Sequence, residues 1–181
     1  DVRNVLIHSY SSIFRLKKHD YYYILSIMKR YLPTSSENIP EKVLADYAPL
    51  ALSMVGDSVH TLFLRAYFSE LNPYKNAKIH FEASKFACAP SQAEDAKIML
   101  PLLTEQEKRI FNKAKNAKIN TVPKHASFYE YQLATAFEAV TGYLYLSGQN
   151  DRLACLYDAI YENKLSENNN SDTENHNNPN S

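Results

Sequence analysis

The chain has few of the residues that turn-rich or disulfide-linked folds require. Its 181 residues include three glycines, two cysteines and no tryptophan. So little glycine favours helices over a β fold, because β folds need many tight turns. The cysteines, Cys88 and Cys155, are too few for a metal cluster or a disulfide framework, so we expect them to be buried as small apolar side chains. No apolar run approaches the ~20 residues of a membrane span, so no membrane partner is expected.

An excess of charge of either sign is also lacking. Twenty Lys and Arg balance 20 Asp and Glu. Residues 165–181 contain three of the acids and no Lys or Arg, so removing them leaves 20 basic against 17 acidic residues in 1–164. A mild positive excess of this kind permits nucleic-acid binding without requiring it.

Composition divides the chain into three parts. Residues 165–181 are mostly Asn, Ser, Asp and Glu, which bury too little apolar surface to offset their ordering entropy, so we expect a disordered Asn-rich tail. Residues 1–45 carry a basic cluster at 15–19 and three tyrosines at 21–23, and they predict a helical extension with a helix over 21–32 and a linker over 33–40. The body is then 46–164.

Helix caps and prolines predict that the body is all-α, and no stretch shows the alternation of a strand. Two capping boxes, Thr104 with Glu107 and Ser127 with Glu130, begin two of the helices. Gly148 should end the second of these. The expected helices are 46–71 with Asp46 as its cap, 72–89 beginning at Asn72-Pro73, 91–100, 105–117, 128–146 and 151–163.

Two carboxylates interrupt helices that are otherwise apolar almost throughout. Asp57 lies in the middle of 47–68, and Glu138 lies in the middle of 131–146. Helices that are apolar on nearly all sides are normally buried, so we expect both carboxylates to be buried. A buried and unpaired carboxylate is costly, and it is usually neutralised, paired with a cation or bound to a metal.

Small residues flank both acids. Gly56 precedes Asp57, and Gly142 follows Glu138 by one turn. A glycine inside a helix costs up to ~1 kcal/mol relative to Ala, so we expect these two to allow a close approach of the helices. Two carboxylates brought together could share a hard cation such as Mg²⁺, with waters completing its coordination. Two alternatives remain open: Asp57 could cap a broken helix, and Glu138 could pair with a buried Lys or Arg.

A basic stretch without any acid runs from residue 108 to 129. Its candidates for phosphate contacts are Lys113, Lys115, Lys118 and Lys124. The alternative is a solvated basic face with no ligand. The six histidines show no metal-binding spacing, so zinc is not expected. The position of His60 and His80 within helices favours a structural role for both.

Four stretches of the body resemble Mini-ribonuclease III, the compact branch of the ribonuclease III family that has no separate double-stranded RNA-binding domain. The first, 49–65, contains Gly-Asp-Ser where the family has Gly-Asp-Ala, and the fourth, 134–146, contains Phe-Glu-Ala. The stretches follow one another in the family's order and with its spacing. They are 49–65 (PLALSMVGDSVHTLFLR), 78–93 (KIHFEASKFACAPSQA), 103–124 and 134–146 (ATAFEAVTGYLYL).

The resemblance implies an all-α endonuclease domain that works as a homodimer and cuts double-stranded RNA, leaving 5′-phosphate ends. Asp57 and Glu138 match the family's catalytic acids, which bind Mg²⁺, for which Mn²⁺ can substitute. His80 matches a motif histidine and joins Lys113, Lys115 and Lys118 among the RNA-binding candidates. The family's typical substrate is precursor ribosomal RNA of the large subunit.

Several positions depart from the family pattern. Larger ribonuclease III enzymes have further acids where this chain has Ser53 and Thr135, an absence that the compact branch shares. Lysines at 113 and 115 replace the family's arginines, which keeps the charge but loses bidentate phosphate geometry. Phe81 stands where a Lys is common.

Other functions remain possible at this stage. A non-catalytic RNA-binding or ribosome-associated protein on the same fold is the main alternative, and a metal-dependent hydrolase of nucleotides is another. A bacterial cytoplasm fits the chain. The missing initiator Met, the unmatched residues 1–45 and the Asn-rich tail also fit a plastid-type organelle.

Overall fold

A computed structural model gives the fold of residues 38–71, 73–118 and 126–174, without the side chains of residue 71 and of 164–174. In these ranges the chain forms helices joined by short connections and contains no strand, which confirms the all-α prediction. The helices are α1 (Glu41–Ala45), α2 (Pro49–Leu71), α3 (Asn76–Phe86), α4 (Ala89–Met99), α5 (Glu105–Lys115), α6 (Phe128–Leu146) and α7 (Asn150–Glu174), with a 3₁₀ turn at Leu100–Leu102.

Helix α6 lies at the centre of the fold. It packs against α2, α4, α5 and α7, and its most extensive contact is with α2. From Leu133 to Leu144 every residue except Glu138 is buried, because neighbouring helices cover α6 on nearly all sides. The nearly continuous apolar sequence of this helix is therefore a consequence of its central position.

The contact between α2 and α6 is made by backbone. A Cβ atom added to Gly56 would collide with the carbonyl oxygen of Glu138, and one added to Gly142 would collide with the carbonyl oxygen of Leu52. The expected close approach of the two helices is confirmed. It places Asp57 beside the turn of α6 that carries Glu138.

Both predicted capping boxes are present at the N-termini of α5 and α6. In α5, Glu107 is also buried and accepts hydrogen bonds from Arg152 Nε and Nη2, each at 2.8 Å. This pair ties α5 to α7. Gly148 has a φ of 73°, a left-handed conformation that glycine adopts without strain, and it ends α6 as predicted.

Three predicted helix starts were wrong. Asp46 is the C-cap of α1, and α2 begins instead at Pro49, since proline suits a first turn whose N–H groups need no helical partner. Helix α3 begins at Asn76, after a turn at Pro73 and Tyr74. Helix α4 begins at residue 89 and takes Pro90 into its first turn.

The final helix is longer than predicted. The sequence predicted that this helix ends near residue 163. Helix α7 ends instead at Glu174, so it enters the segment 165–181 that we expected to be disordered. No proline or glycine interrupts 164–174, and extending an existing helix adds one hydrogen bond for each residue fixed, so nothing stops it earlier. Residues 175–181 lie outside the described residues, as do 1–37 with the helix predicted over 21–32.

Residues 38–45, which we assigned to the N-terminal extension, pack against the body of residues 46–164. Leu44 of α1 is fully buried in the core. The Ile39 N–H donates to the Leu146 carbonyl at 3.0 Å, and the Tyr143 hydroxyl donates to Glu41 Oε2 at 2.8 Å. These contacts with α6 make residues 38–45 part of the same packed unit, which therefore begins before residue 46.

The prediction that both cysteines are buried was wrong, because Cys88 and Cys155 are exposed and unpaired. Cys88 precedes α4, where its thiol donates to the Lys85 carbonyl at 3.1 Å, and Cys155 lies on the outer side of α7. A thiol is small enough for the surface to accommodate it at little cost. None of the described helices is long and apolar enough to cross a membrane.

We expect Gly56→Ala to destabilise the fold. In an uncrowded helix this change should stabilise by up to ~1 kcal/mol. Here the new methyl group meets the backbone of α6, which cannot rotate aside as a side chain can, so the free energy of unfolding should fall by about 1–3 kcal/mol. Urea unfolding measures this, with the exposed Ser58→Ala as control. A Gly56→Ala protein as stable as wild type would contradict the backbone contact.

Candidate functional site

Asp57 and Glu138 meet where α2 crosses α6. Gly56, the residue before Asp57, lies against the backbone carbonyl of Glu138. The charge of Asp57 raises the pKa of Glu138, so the two carboxylates are within electrostatic range of each other. Ser53, one turn before Asp57, donates a hydrogen bond of 2.6 Å to Glu138 Oε2. The structure thus brings together the two acids that the sequence singled out.

The environments of the two acids differ. Glu138 is largely buried, and this burial raises its pKa to about 7, with a further contribution from Asp57. The hydrogen bond from Ser53 and the nearby amide of Gln92 oppose the increase without cancelling it. Glu138 without a bound cation is therefore close to half protonated at neutral pH.

Asp57 is exposed, so the prediction that both carboxylates are buried was wrong for this residue. One side of α2 is left uncovered in the single chain, and Met54, 71% exposed, lies on that side together with Leu50. An apolar sequence shows that a helix prefers contact on most sides. It does not show that the same chain provides that contact.

Among the described residues, neither alternative role for these acids is observed. Helix α2 is continuous from Pro49 to Leu71, so Asp57 caps no helix break. Within the described ranges, Glu138 forms no ion pair with a Lys or Arg, and its neighbours are the neutral side chains of Ser53 and Gln92. In this part of the chain, no Lys or Arg balances the charge of Glu138.

The two hydroxyl residues that replace further family acids behave differently. Ser53 reaches Glu138, whereas Thr135 donates to the Tyr131 carbonyl of its own helix at 2.8 Å. Gln92 is a member of the site that the sequence analysis missed. Its position could have been found from the helical spacing of residues 92, 93, 96 and 99, which all lie on the buried face of α4.

Two carboxylates would provide a sparse set of protein ligands for a metal. No group of three or more His, Cys, Asp and Glu side chains that could hold a metal occurs among the residues described. Mg²⁺ suits such a site, because it keeps several waters and needs only one or two carboxylates from the protein. A divalent cation would also supply the positive charge that Asp57 and Glu138 lack, so the donor set fits this ion.

The basic candidates have varied surroundings. Lys113 donates through Nζ to the backbone carbonyls of Ala45 at 3.0 Å and Tyr47 at 3.3 Å, so it holds the connection between α1 and α2. Lys115 Nζ lies 5.3 Å from the centre of the Tyr129 ring. Lys118 is exposed beyond the end of α5.

The histidines also differ. His80 is exposed on α3, and His60 is buried with its Nδ1 3.0 Å from the Tyr157 hydroxyl. The structure confirms the expected structural position of His60. Lys124, the remaining basic candidate, lies outside the described residues.

We expect Glu138→Gln to stabilise the cation-free protein above neutral pH. The folded pKa of about 7 exceeds the ordinary value of 4.5, so the folded state retains a proton that the unfolded chain releases. Wild-type stability therefore falls as pH rises from 4.5 to 7. Thermal unfolding in EDTA should give the variant a higher Tm at pH 8, by several degrees, and nearly the same Tm at pH 4.5.

Glu107→Gln is the matched control for this experiment. Burial raises the pKa of Glu107, but hydrogen bonds from Arg152 and Thr104 outweigh that effect and hold the pKa below its usual value. Removing this charge should lower the Tm at pH 8, because Arg152 loses its partner. A lower Tm for Glu138→Gln at pH 8 would refute the burial argument.

Comparison of the sequence with known proteins identifies a family that includes both acids in the matched region. The family model of the ribonuclease III domain matches residues 50–149. Mini-ribonuclease 3 of Thermoanaerobacter sp. is 37% identical over 122 residues, which are 66% of this chain and 84% of that protein. Mini-ribonuclease 3 of Clostridium tetani is 34% identical over 127 residues, which are 70% of this chain and 83% of that protein.

A solved structure shows the same fold. The crystal structure of a protein from Fusobacterium nucleatum superimposes with a TM-score of 0.61 at 28% identity, covering 66% of this chain and 96% of that one. The family match runs from the second residue of α2 to beyond the end of α6 and so includes both acids. The chain therefore belongs to the ribonuclease III family of endoribonucleases, in the compact branch of the Mini-ribonucleases III.

Proposed function

We propose that this protein cuts double-stranded RNA in a Mg²⁺-dependent reaction, with Asp57 and Glu138 as the catalytic, metal-binding pair. The proposal is carried by the two carboxylates lying within electrostatic range of each other at the crossing of α2 and α6. Neither acid forms an ion pair with Lys or Arg in the part of the chain that the structure describes. A fold does not need two adjacent acids without a countercharge.

Glu138 and Asp57 are proposed to have different roles in the site. Glu138 is held by Ser53 at the buried side of the site, and it must release its proton before it can act as a ligand. Asp57 is exposed in the single chain, so it remains open to a cation from solvent. When bound, Mg²⁺, or Mn²⁺ in its place, supplies the charge that lowers the pKa of a water and offsets charge on the scissile phosphate. The expected products carry 5′-phosphate and 3′-hydroxyl ends.

Basic side chains are proposed to hold the RNA backbone. Lys115 lies over Tyr129, and Glu138 is nine residues further along α6, which corresponds to about 14 Å of helix. Phosphates on a duplex can span that distance. We assign phosphate contacts to Lys115 and Lys118, with Lys124 and His80 as further candidates. Lys113 would act mainly by holding the connection before α2.

The substrate is proposed to be precursor ribosomal RNA of the large subunit. The protein would recognise A-form shape and phosphates, because the deep major groove of an RNA duplex hides the base edges from side chains. The support is the resemblance to Mini-ribonuclease III. The relatives reported above are bacterial, and we propose a compartment of bacterial type, either a bacterial cytoplasm or a plastid-type organelle.

The exposed side of α2 supports a homodimer. Leu50, Met54 and Leu62 are 47%, 71% and 42% exposed, and their positions fall on one side of the helix. Monomeric proteins seldom expose such a group, and covering it with the same helix of a second copy would bury apolar area on both. Asp57 lies on the same helix, so a second copy here would place two active centres side by side.

Cleavage of duplex RNA tests the proposed function. Wild-type protein with Mg²⁺ should cut a perfect duplex, whereas Asp57→Asn and Glu138→Gln should reduce kcat/KM by more than about 100-fold, because each loses a charged ligand while keeping its shape. Duplex binding by both variants, measured by fluorescence anisotropy, should stay within a few-fold of wild type. Ser58→Ala, an exposed neighbour of Asp57, serves as the active control.

Two results would redirect the proposal. Binding of the duplex without cleavage, in both Mg²⁺ and Mn²⁺, would favour a non-catalytic RNA-binding or ribosome-associated protein. Hydrolysis of free nucleotides without cleavage of the duplex would favour a nucleotide hydrolase.

We expect Met54→Asp to convert the dimer into a monomer. The change places a charge at the most exposed apolar position of α2, where a second copy would have to desolvate it. Sedimentation velocity should show the mass of one chain for this variant and of two for wild type. Leu102→Asp is the control, since Leu102 is also exposed, at 44%, but lies away from α2. A wild-type protein that sediments as a monomer at micromolar concentration would contradict the homodimer.

A further inference from the structure

A buried amide of α4 lies close to the Glu138 carboxylate. Gln92 of α4 is 2% exposed. Its Nε2 has no hydrogen-bond partner of good geometry in the described part of the chain. The side chain is nevertheless close enough to Glu138 to act as its donor and to lower its pKa. Glu138 is thus flanked by Ser53 from α2 and Gln92 from α4.

The fold itself does not require this amide. The other buried positions on the same face of α4 include Ala93, Ala96 and Met99, which pack into the apolar core. A Met or Leu at position 92 would fill a similar volume without burying a polar group that lacks a good partner, which is an unfavourable arrangement. An amide at this position is therefore better explained by the adjacent carboxylate than by packing.

The type of donor matters as much as its position. Glu107, a buried acid of α5, is paired with Arg152, and this pair stabilises the fold. Glu138 instead receives two neutral donors, Ser53 and Gln92. Neutral donors can orient a carboxylate and leave its charge available for a cation, whereas an Arg or Lys would satisfy that charge and compete with the cation.

We propose that Gln92 is a positioning residue, whose amide Nε2–H donates to the Glu138 carboxylate and, together with Ser53, fixes the orientation in which this carboxylate faces Asp57. The inference rests on the proposed role of Glu138 as a metal ligand. It adds α4 to α2 and α6 as a third helix that shapes the site. Gln92 acts through Glu138 and does not touch the RNA.

Mn²⁺ binding to the full chain without RNA tests this inference. Titration calorimetry should give Gln92→Met an affinity for Mn²⁺ about 10-fold weaker than wild type, since loss of an outer hydrogen bond to a ligand typically has an effect of this size. The Tm in EDTA should be equal to wild type or higher, because Met fills a similar volume without the cost of burying an amide. Cleavage should recover when Mn²⁺ is raised above the weakened dissociation constant.

Thr141→Val is the matched control. Thr141 is fully buried on α6, and its Oγ1 also lacks a partner of good geometry, but it interacts with Tyr157 and not with Glu138. This variant should bind Mn²⁺ within twofold of wild type. Gln92→Leu provides a second substitution in case the Met variant folds poorly.

The outcomes separate the two proposals. Weaker Mn²⁺ binding at an unchanged or higher Tm supports the positioning role. Mn²⁺ binding within twofold of wild type, or weakened binding that only accompanies a lower Tm in both Gln92 variants, overturns it and leaves the proposed function standing. A wild-type protein that binds no Mn²⁺ would overturn the metal-dependent function and this inference with it.

Discussion

The site depends on the backbone contact between α2 and α6. Gly56 and Gly142 remove the side chains that would otherwise hold the two helices apart, so each glycine meets a backbone carbonyl of the partner helix. This approach lets Ser53 reach Glu138 and brings Asp57 into electrostatic range of it. Wider spacing would leave two separate carboxylates, each with its own solvation, and no shared site for a cation.

Glu107 and Glu138 differ in the partners that surround their carboxylates, and this difference shifts their pKa values in opposite directions. Burial raises the pKa of Glu107, but Arg152 and the capping Thr104 outweigh it, so this acid is charged and stabilises the junction of α5 and α7. Burial dominates at Glu138, whose neighbours in the described part of the chain are neutral donors and a second acid. Glu138, the acid without a cationic partner among the described residues, is the one that we propose as a metal ligand, as expected where function is favoured over stability.

The packed unit is larger than the family match. The match begins at residue 50, yet Leu44 is fully buried and residue 39 is hydrogen-bonded to the end of α6. Lys113 holds the carbonyls at the end of α1, so a residue expected to bind RNA also supports the start of α2. The segment before the match therefore helps to fix the helix that carries Asp57.

The sequence by itself determined the all-α class, the capping boxes at Thr104 and Ser127, and the pair Asp57 and Glu138, because these follow from local hydrogen bonding and from charges that stand out in apolar helices. The exposure of Asp57, the neutral partners of Glu138 and the inclusion of Gln92 were decided only by the tertiary structure. Each depends on which face of a helix another helix covers, and this cannot be read from one segment alone. Helical periodicity places a residue on a face, whereas packing decides whether that face meets solvent, an amide or a second carboxylate.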